Sequence, residues 1–272
     1  MKRALFCFFV IVIVLASCSQ FEKLRKSTDY MLKYSKAFEY YHAGDFVRSG
    51  QLFDDIFPIF RGTAYEDSVA FFRAMSYFNQ RDFLNASFYF SEHFRNSRQS
   101  PFAVEAEFLT GYCYFMQSPR PELDQSNTYA AIETFQLFLM RNPESKFVED
   151  ARTHMAEMKD KLVDKSYLTA RLYYNLGQYR SSIIALNNSL EDYPDTKHRE
   201  ELMYLLLRSH FLFAENSVPA RMRERFESTV DEYYSFIGEF PESRYARDAR
   251  RMYERADRFL KARGRTDMDD EG

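Results

Sequence analysis

The 272-residue chain has no tryptophan and only eight glycines, eight prolines and three cysteines. With so little glycine and so much phenylalanine and tyrosine, 28 and 20 residues, the composition suits helices packed through aromatic knobs. There is no Gly-rich phosphate loop and no Cys pair, and the five histidines are scattered. His154-Met155-Ala156-Glu157 lacks the second histidine of a zinc helix, so no cofactor, metal or catalytic residue is expected, and no enzyme. Lone imidazoles at helix ends, His42 and His93, read as surface groups, and Cys113 between Tyr112 and Tyr114 as a packed apolar residue. Basic residues are interspersed with acidic ones, and net charge is −3, which argues against nucleic acid as a partner. The one run of single sign is Asp267, Asp269, Asp270 and Glu271, so residues 264–272 are expected to form an acidic disordered tail.

Long apolar runs are missing too. Leu5 to Leu15 is uncharged but shorter than the roughly 20 residues a membrane span requires. Lys2 and Arg3 precede it and Leu15-Ala16-Ser17-Cys18 closes it, the layout of a secretion signal over residues 1–17. The tetrad resembles the bacterial lipobox, which implies cleavage before Cys18 and a covalent lipid on that residue. Three acyl chains, at about 0.8 kcal/mol per buried CH₂, anchor a protein durably where one does not. Ser19 resembles the residue that follows the cysteine in lipoproteins sent to the outer membrane. Loss of Cys7 with the signal and lipidation of Cys18 leave only Cys113, so the exported domain has no disulfide and must be held by packing. Residues 18–28 read as a lipidated polar tether.

What the chain does have is a repeat. A large residue, a small one three later and an aromatic pair recur as Tyr34, Ala37, Tyr40, Tyr41; Phe71, Ala74, Tyr77, Phe78; Phe108, Gly111, Tyr114, Phe115; Tyr167, Ala170, Tyr173, Tyr174; and Leu206, Ser209, Leu212, Phe213. After each comes a second spacing: Phe46, Ser49, Phe53; Phe83, Ala86, Phe90; Thr128, Ala131, Phe135; Tyr179, Ser182, Leu186; and Phe226, Thr229, Tyr233. Both spacings keep one helical face, and the small residues let two helices approach closely. Neither helix of such a pair can bury its apolar stripe alone, so five pairs in tandem predict a stacked all-α solenoid.

Punctuation divides it further. Copies one, two and four turn tightly at Gly44-Asp45-Phe46, Arg81-Asp82-Phe83 and Gly177-Gln178-Tyr179, whereas copies three and five carry inserts of matching length holding Pro119, Pro121 and Pro219. Asn142-Pro143-Glu144-Ser145, Tyr193-Pro194-Asp195-Thr196 and Phe240-Pro241-Glu242-Ser243 end second helices and offer Ser or Thr as the next cap. Lys146 to Lys165 has helical spacing without Gly or Pro, which predicts one long helix from Ser145 to Leu176. The expected organisation is therefore repeats 1–3 over residues 29–142, then the long helix, repeats 4–5 and a capping helix over 143–263.

The large-small-aromatic spacing, the Gly-Asp-Phe turn and Tyr193-Pro194-Asp195-Thr196 resemble tetratricopeptide repeats. Joined to a lipobox, five such repeats resemble the BamD (YfiO/ComL) family over about Lys33 to Phe240. The resemblance implies a tetratricopeptide superhelix (α-solenoid) and a non-enzymatic periplasmic scaffold of the β-barrel assembly complex at the outer membrane. The implied partners are a BamA-like barrel protein held by the carboxy-terminal half, other assembly lipoproteins, and unfolded outer-membrane proteins received by the amino-terminal repeats. No local contact motif carries a partner-binding residue across. The alternative reading is another tetratricopeptide envelope lipoprotein, an adaptor for cell-division or peptidoglycan enzymes.

Overall fold

The computed structural model describes the backbone of residues 20–270 and the side chains of residues 20–262. The signal segment 1–17, Cys18 and Ser19 lie outside the described residues. Among the described residues there is no strand. The helices are α1 (20–26), α2 (Tyr30–His42), α3 (Phe46–Phe60), α4 (Glu66–Asn79), α5 (Phe83–Asn96), α6 (Ala103–Gln117), α7 (Ser126–Arg141), α8 (Val148–Asn175), α9 (Tyr179–Asp192), α10 (Arg199–Glu215), α11 (Pro219–Glu239) and α12 (Ala246–Asp270). Over the described residues the chain is all-α and built of helix pairs in tandem. By compactness it forms two units: unit one holds the described residues through Pro119 and Gln125–Met158, and unit two holds Arg120–Asp124 and the residues from Lys159 onward. The division thus falls within α8, later than the 142/143 boundary expected from the sequence.

The small residues sit where the helices meet. Ala37, Ser49, Ala74, Ala86, Ala131, Ala170 and Ser182 have no exposed surface, and the large residue four beyond each second-helix small position (Phe53, Phe90, Phe135, Leu186) is likewise fully enclosed. The tight turns owe their shape to one position. Gly44, Arg81 and Gly177, each seven residues past the small residue of the first helix, have φ of 79°, 62° and 69°, the left-handed region that glycine enters freely and arginine does not. The carboxylates of Asp45 and Asp82 then accept the backbone N–H of Arg48 and Asn85, capping α3 and α5.

Repeat follows repeat through a junction of its own. Thr63, Ser100, Ser145, Thr196 and Ser243 each accept, through the side-chain oxygen, the backbone N–H two residues on, that of Tyr65, Phe102, Phe147, His198 and Tyr245. The last three were expected to cap the next helix; they close a turn ahead of it instead. That turn presents a ring, and four of the rings lie flat on a first-helix ring: Phe102 on Phe71 at 4.4 Å, Phe147 on Phe108 at 4.5 Å, His198 on Tyr167 at 4.0 Å and Tyr245 on Tyr204 at 4.1 Å.

This junction corrects the fifth copy. Position Tyr204, not Leu206, carries the stacked ring, and the buried hydroxyl pair Ser182–Ser209 (3.0 Å) repeats Ser49–Ser76 (3.1 Å), both spanning 27 residues. Ser209 therefore corresponds to Ser76, two residues beyond the small position, and Leu207 fills the place of Ala74. The insert of copy five is longer than that of copy three by the same two residues, a difference invisible to spacing because Leu206 and Ser209 mimic the pattern. Nor is that insert irregular: Pro219 stands at the first turn of α11, where its missing N–H costs nothing, and the insert lengthens the helix.

Three further expectations change. The tether is not free: α1 packs Phe21 (6 % exposed) edge-on against Tyr40 at 5.6 Å, and Arg25 pairs with Asp55 at 3.1 Å. The backbone expected as a disordered tail continues α12 as helix to Asp270, and residues 271–272 lie outside the described residues. His93 is not a surface group but buried, within 3.2 Å of Ser100 Oγ and 3.5 Å of Asp67, and burial pushes its pKa below the usual imidazole value despite Asp67. Cys113 is buried as expected, its thiol pushed up to about 12 by desolvation. The long helix is α8, of 28 residues.

Candidate functional site

Three helical stripes of unit one converge on a cleft of about 250 Å³. Ser91, Phe94, Arg95 and Arg98 follow one face of α5 and its exit; Glu107, Thr110 and Tyr114 follow α6; Thr134, Leu137 and Arg141 follow α7. The i, i+3, i+4, i+7 spacing that buries one face of these helices leaves this second face to line the cleft. At its floor Glu107 is almost fully buried, and its two oxygens accept from Arg141 Nη1 at 2.7 Å and Asn142 Nδ2 at 2.8 Å. A buried carboxylate needs such donors, since desolvation without them costs several kcal/mol, on the order of 3 to 5 when one partner is removed. The guanidinium groups of Arg98 and Arg141 lie 5.7 and 5.6 Å from the ring of Phe94. Three arginines against one carboxylate leave the cleft positive, with Leu137 on its rim 37 % exposed. The combination suits an anionic group next to an apolar side chain.

Unit two carries a different feature. In unit one the residues two and six beyond the small position face the preceding repeat: Ser76 meets Ser49, and Gln80 Nε2 donates to Phe46 O at 3.0 Å. Leu172 and Leu176 hold those positions after Ala170. No second helix precedes α8 within unit two, and the two leucines are 54 % and 60 % exposed. They are a repeat-facing surface without its repeat.

Near them, the turn before α10 is clamped to α8. Asp164 Oδ1 takes His198 Nε2 at 2.7 Å and Lys197 Nζ at 2.9 Å, while the imidazole lies flat on Tyr167. Burial alone would raise the Asp164 pKa, but the two hydrogen bonds outweigh it and hold the carboxyl below the usual range. The aspartate–imidazole pair thereby joins α8 to the turn that leads into α10. Elsewhere in unit two Lys165 Nζ donates to Leu123 O at 2.8 Å, tying down the insert of copy three. No group of three His, Cys, Asp or Glu side chains fit to hold a metal occurs among the described residues, and no described helix is long and apolar enough to cross a membrane.

Cys18, the residue expected to carry lipid, is outside the described residues. The sequence pointed to neither surface. Leu172 and Leu176 fall outside the repeat spacing, and only the neighbour that is absent within unit two distinguishes them from buried leucines.

A family model described as YfiO, outer membrane lipoprotein, matches residues 27–223 and again 173–263. The outer membrane protein assembly factor BamD of Caulobacter vibrioides is 26 % identical over 122 residues, 45 % of this chain and 40 % of the relative. That of Rickettsia prowazekii is 23 % identical over 107 residues, 39 % of this chain and 43 % of the relative. The matched stretch spans less than half the length of either relative. Among solved structures, the TPR2AB domain of yeast Sti1 in its pHSP90 complex aligns over 84 % of this chain and 98 % of that one, with 11 % identity and a TM-score of 0.37.

Proposed function

Because the chain belongs to the YfiO family of outer membrane lipoproteins, we propose that it is a non-enzymatic scaffold for outer-membrane protein assembly, anchored through lipid on Cys18 and facing the periplasm. Unit two docks a BamA-like barrel protein, and unit one receives unfolded outer-membrane proteins. The observation that carries the docking half is the uncovered leucine pair: Leu172 and Leu176, one helical turn apart, sit at positions that earlier copies use to bind another repeat. The cleft of Phe94, Arg98 and Arg141 supports the receiving half, since a terminal carboxylate following an apolar residue matches its charge and its rim.

Affinity purification from detergent-solubilised outer membrane tests the reading. A BamA-like barrel should come down in stoichiometric yield with the native chain and not with Leu172→Asp, whose stability should change by no more than about 0.5 kcal/mol because the site is exposed. Recovery of cell-division or peptidoglycan enzymes in its place would refute the assignment. For the cleft, Arg98→Glu should weaken binding of a peptide that ends in an aromatic residue and a free carboxylate, and equal binding by both forms would refute that half.

A further inference from the structure

The first helix fixes where the chain leaves toward its amino terminus. Phe21 lies against Tyr40 near the end of α2 and under the guanidinium of Arg48 in the first turn of α3, whereas Arg25 reaches Asp55 and its carbonyl accepts Lys33 Nζ at 2.5 Å near the start of α2. α1 therefore runs parallel to α3, and residue 20 emerges at the turn edge of the repeats, beside Gly44 and Asp45. Cys18 is only three residues before Phe21, a reach of roughly 10 Å even when fully extended. The far end of α3, 15 residues long, is roughly 22 Å away along the helix axis.

That turn edge is continuous across unit one. Gln80 at the end of α4 donates to Phe46 O at the start of α3, and Gln117 at the end of α6 donates to Phe83 O at the start of α5 (3.1 Å), both over 34 residues. The edge is also apolar in register. Val47, Leu84 and Tyr129 each stand two residues before the small residue of their second helix, in the first turns of α3, α5 and α7, and are 54 %, 70 % and 58 % exposed. Side chains of this kind, apolar or amphipathic and repeated along one edge, suit the boundary between headgroups and acyl chains. At the turn position where copies one and four use glycine, copy two keeps Arg81 at φ 62°, which adds a cation at this edge.

We propose that the turn edge of unit one is a second membrane contact: Val47, Leu84 and Tyr129 seat in the interface of the bilayer that holds the lipid on Cys18. The proposal rests on the reading of Cys18 as lipidated. The short exit from α1 brings the edge to the lipid surface, and the three side chains lower the freedom of the domain to swing on its anchor.

Because the native chain has no tryptophan, one introduced indole reports one site. Leu84→Trp and, at the opposite end of α3, Ile59→Trp are made in the full chain, purified in lipidated form and reconstituted into phosphatidylethanolamine–phosphatidylglycerol vesicles with or without brominated acyl chains. The Leu84→Trp emission should shift to the blue on reconstitution and be lost in brominated vesicles, while Ile59→Trp should remain as in water. Vesicle-bound protein whose Leu84→Trp emission survives bromination, or whose Ile59→Trp is quenched as strongly, overturns the second contact and leaves the anchor intact. Protein that does not float with vesicles overturns the lipid reading, and the contact falls with it.

Discussion

A single methyl group added at Gly111 should destabilise unit one, although alanine is the better helix former. Gly111 lies in the middle of α6, and a Cβ built there would come within 2.8 and 2.9 Å of two atoms of the Phe135 ring. Such distances require movement. Phe135 has no exposed surface, and the rings of Phe108 and His154 stand 6.0 and 5.9 Å from it by centroid, so the ring has nowhere to go without shifting them. Overpacking of this kind costs about 1 to 3 kcal/mol. Relief of the glycine helix penalty returns about 1 kcal/mol. The balance for Gly111→Ala is then a loss of about 1 kcal/mol, or about 2 to 4 °C in Tm for a chain of this size class. Gly238, in the last turn of α11, is the control, since a Cβ there meets nothing within 4 Å. Gly238→Ala should gain up to about 1 kcal/mol from propensity alone. Thermal unfolding followed by circular dichroism compares the two; unfolding in two steps would assign each shift to its unit. A Gly111→Ala protein as stable as the Gly238→Ala protein would refute the close approach of α6 and α7 on which the third repeat is built.

Other perturbations have defined signs. Arg81→Gly should raise Tm, because the left-handed conformation costs a side-chain-bearing residue about 1 to 2 kcal/mol; an unchanged or lower Tm would mean that the arginine side chain compensates its own strain. His93, His154 and His210 all have pKa values lowered, desolvation being the first cause for each, so the folded chain holds them neutral while the unfolded chain protonates near pH 6.5. The unfolded state then binds more protons, and stability should fall as pH drops through about 6.5. His154→Leu, replacing the imidazole between Phe115 and Phe135, should flatten that fall, and a Tm independent of pH between 7 and 5 would contradict the burial. Finally, Cys18→Ala should move the protein to the soluble periplasmic fraction. Retention of the variant when the barrel partner is depleted as well would sink the lipid assignment.

Much of this molecule could be read from spacing. Ala37, Ala74, Gly111 and Ala170 announce close helix contacts, because a solenoid repeats its local solution and the same residue returns to the same place. Tight turns were equally legible in Gly44 and Gly177, where only backbone freedom is at stake. A secretion signal and a lipid tetrad are expectations of another kind, contiguous motifs read by other proteins before folding matters. Spacing misled at Leu206 and Ser209, where two residues of the right size stand out of register; the ring stack of Tyr204 on Tyr245 and the Ser182–Ser209 pair decide the true alignment, and both are contacts across helices. His93 looked like a surface group for the same reason, since Ser100 and Asp67, which bury it, belong to other turns of the chain.

Function divides along the same line. The repeat pattern and the family resemblance are properties of residues in order, and the sequence determined them by itself. Which surfaces lie open depended on tertiary structure: α1 lying parallel to α3 set the position of residue 20, convergence of α5, α6 and α7 made the arginine cleft, and the lack of a second helix before α8 within unit two left Leu172 and Leu176 bare. The physical reason is that exposure is not a property of a residue or its spacing. It is set by what packs against it, and that neighbour is distant in the chain.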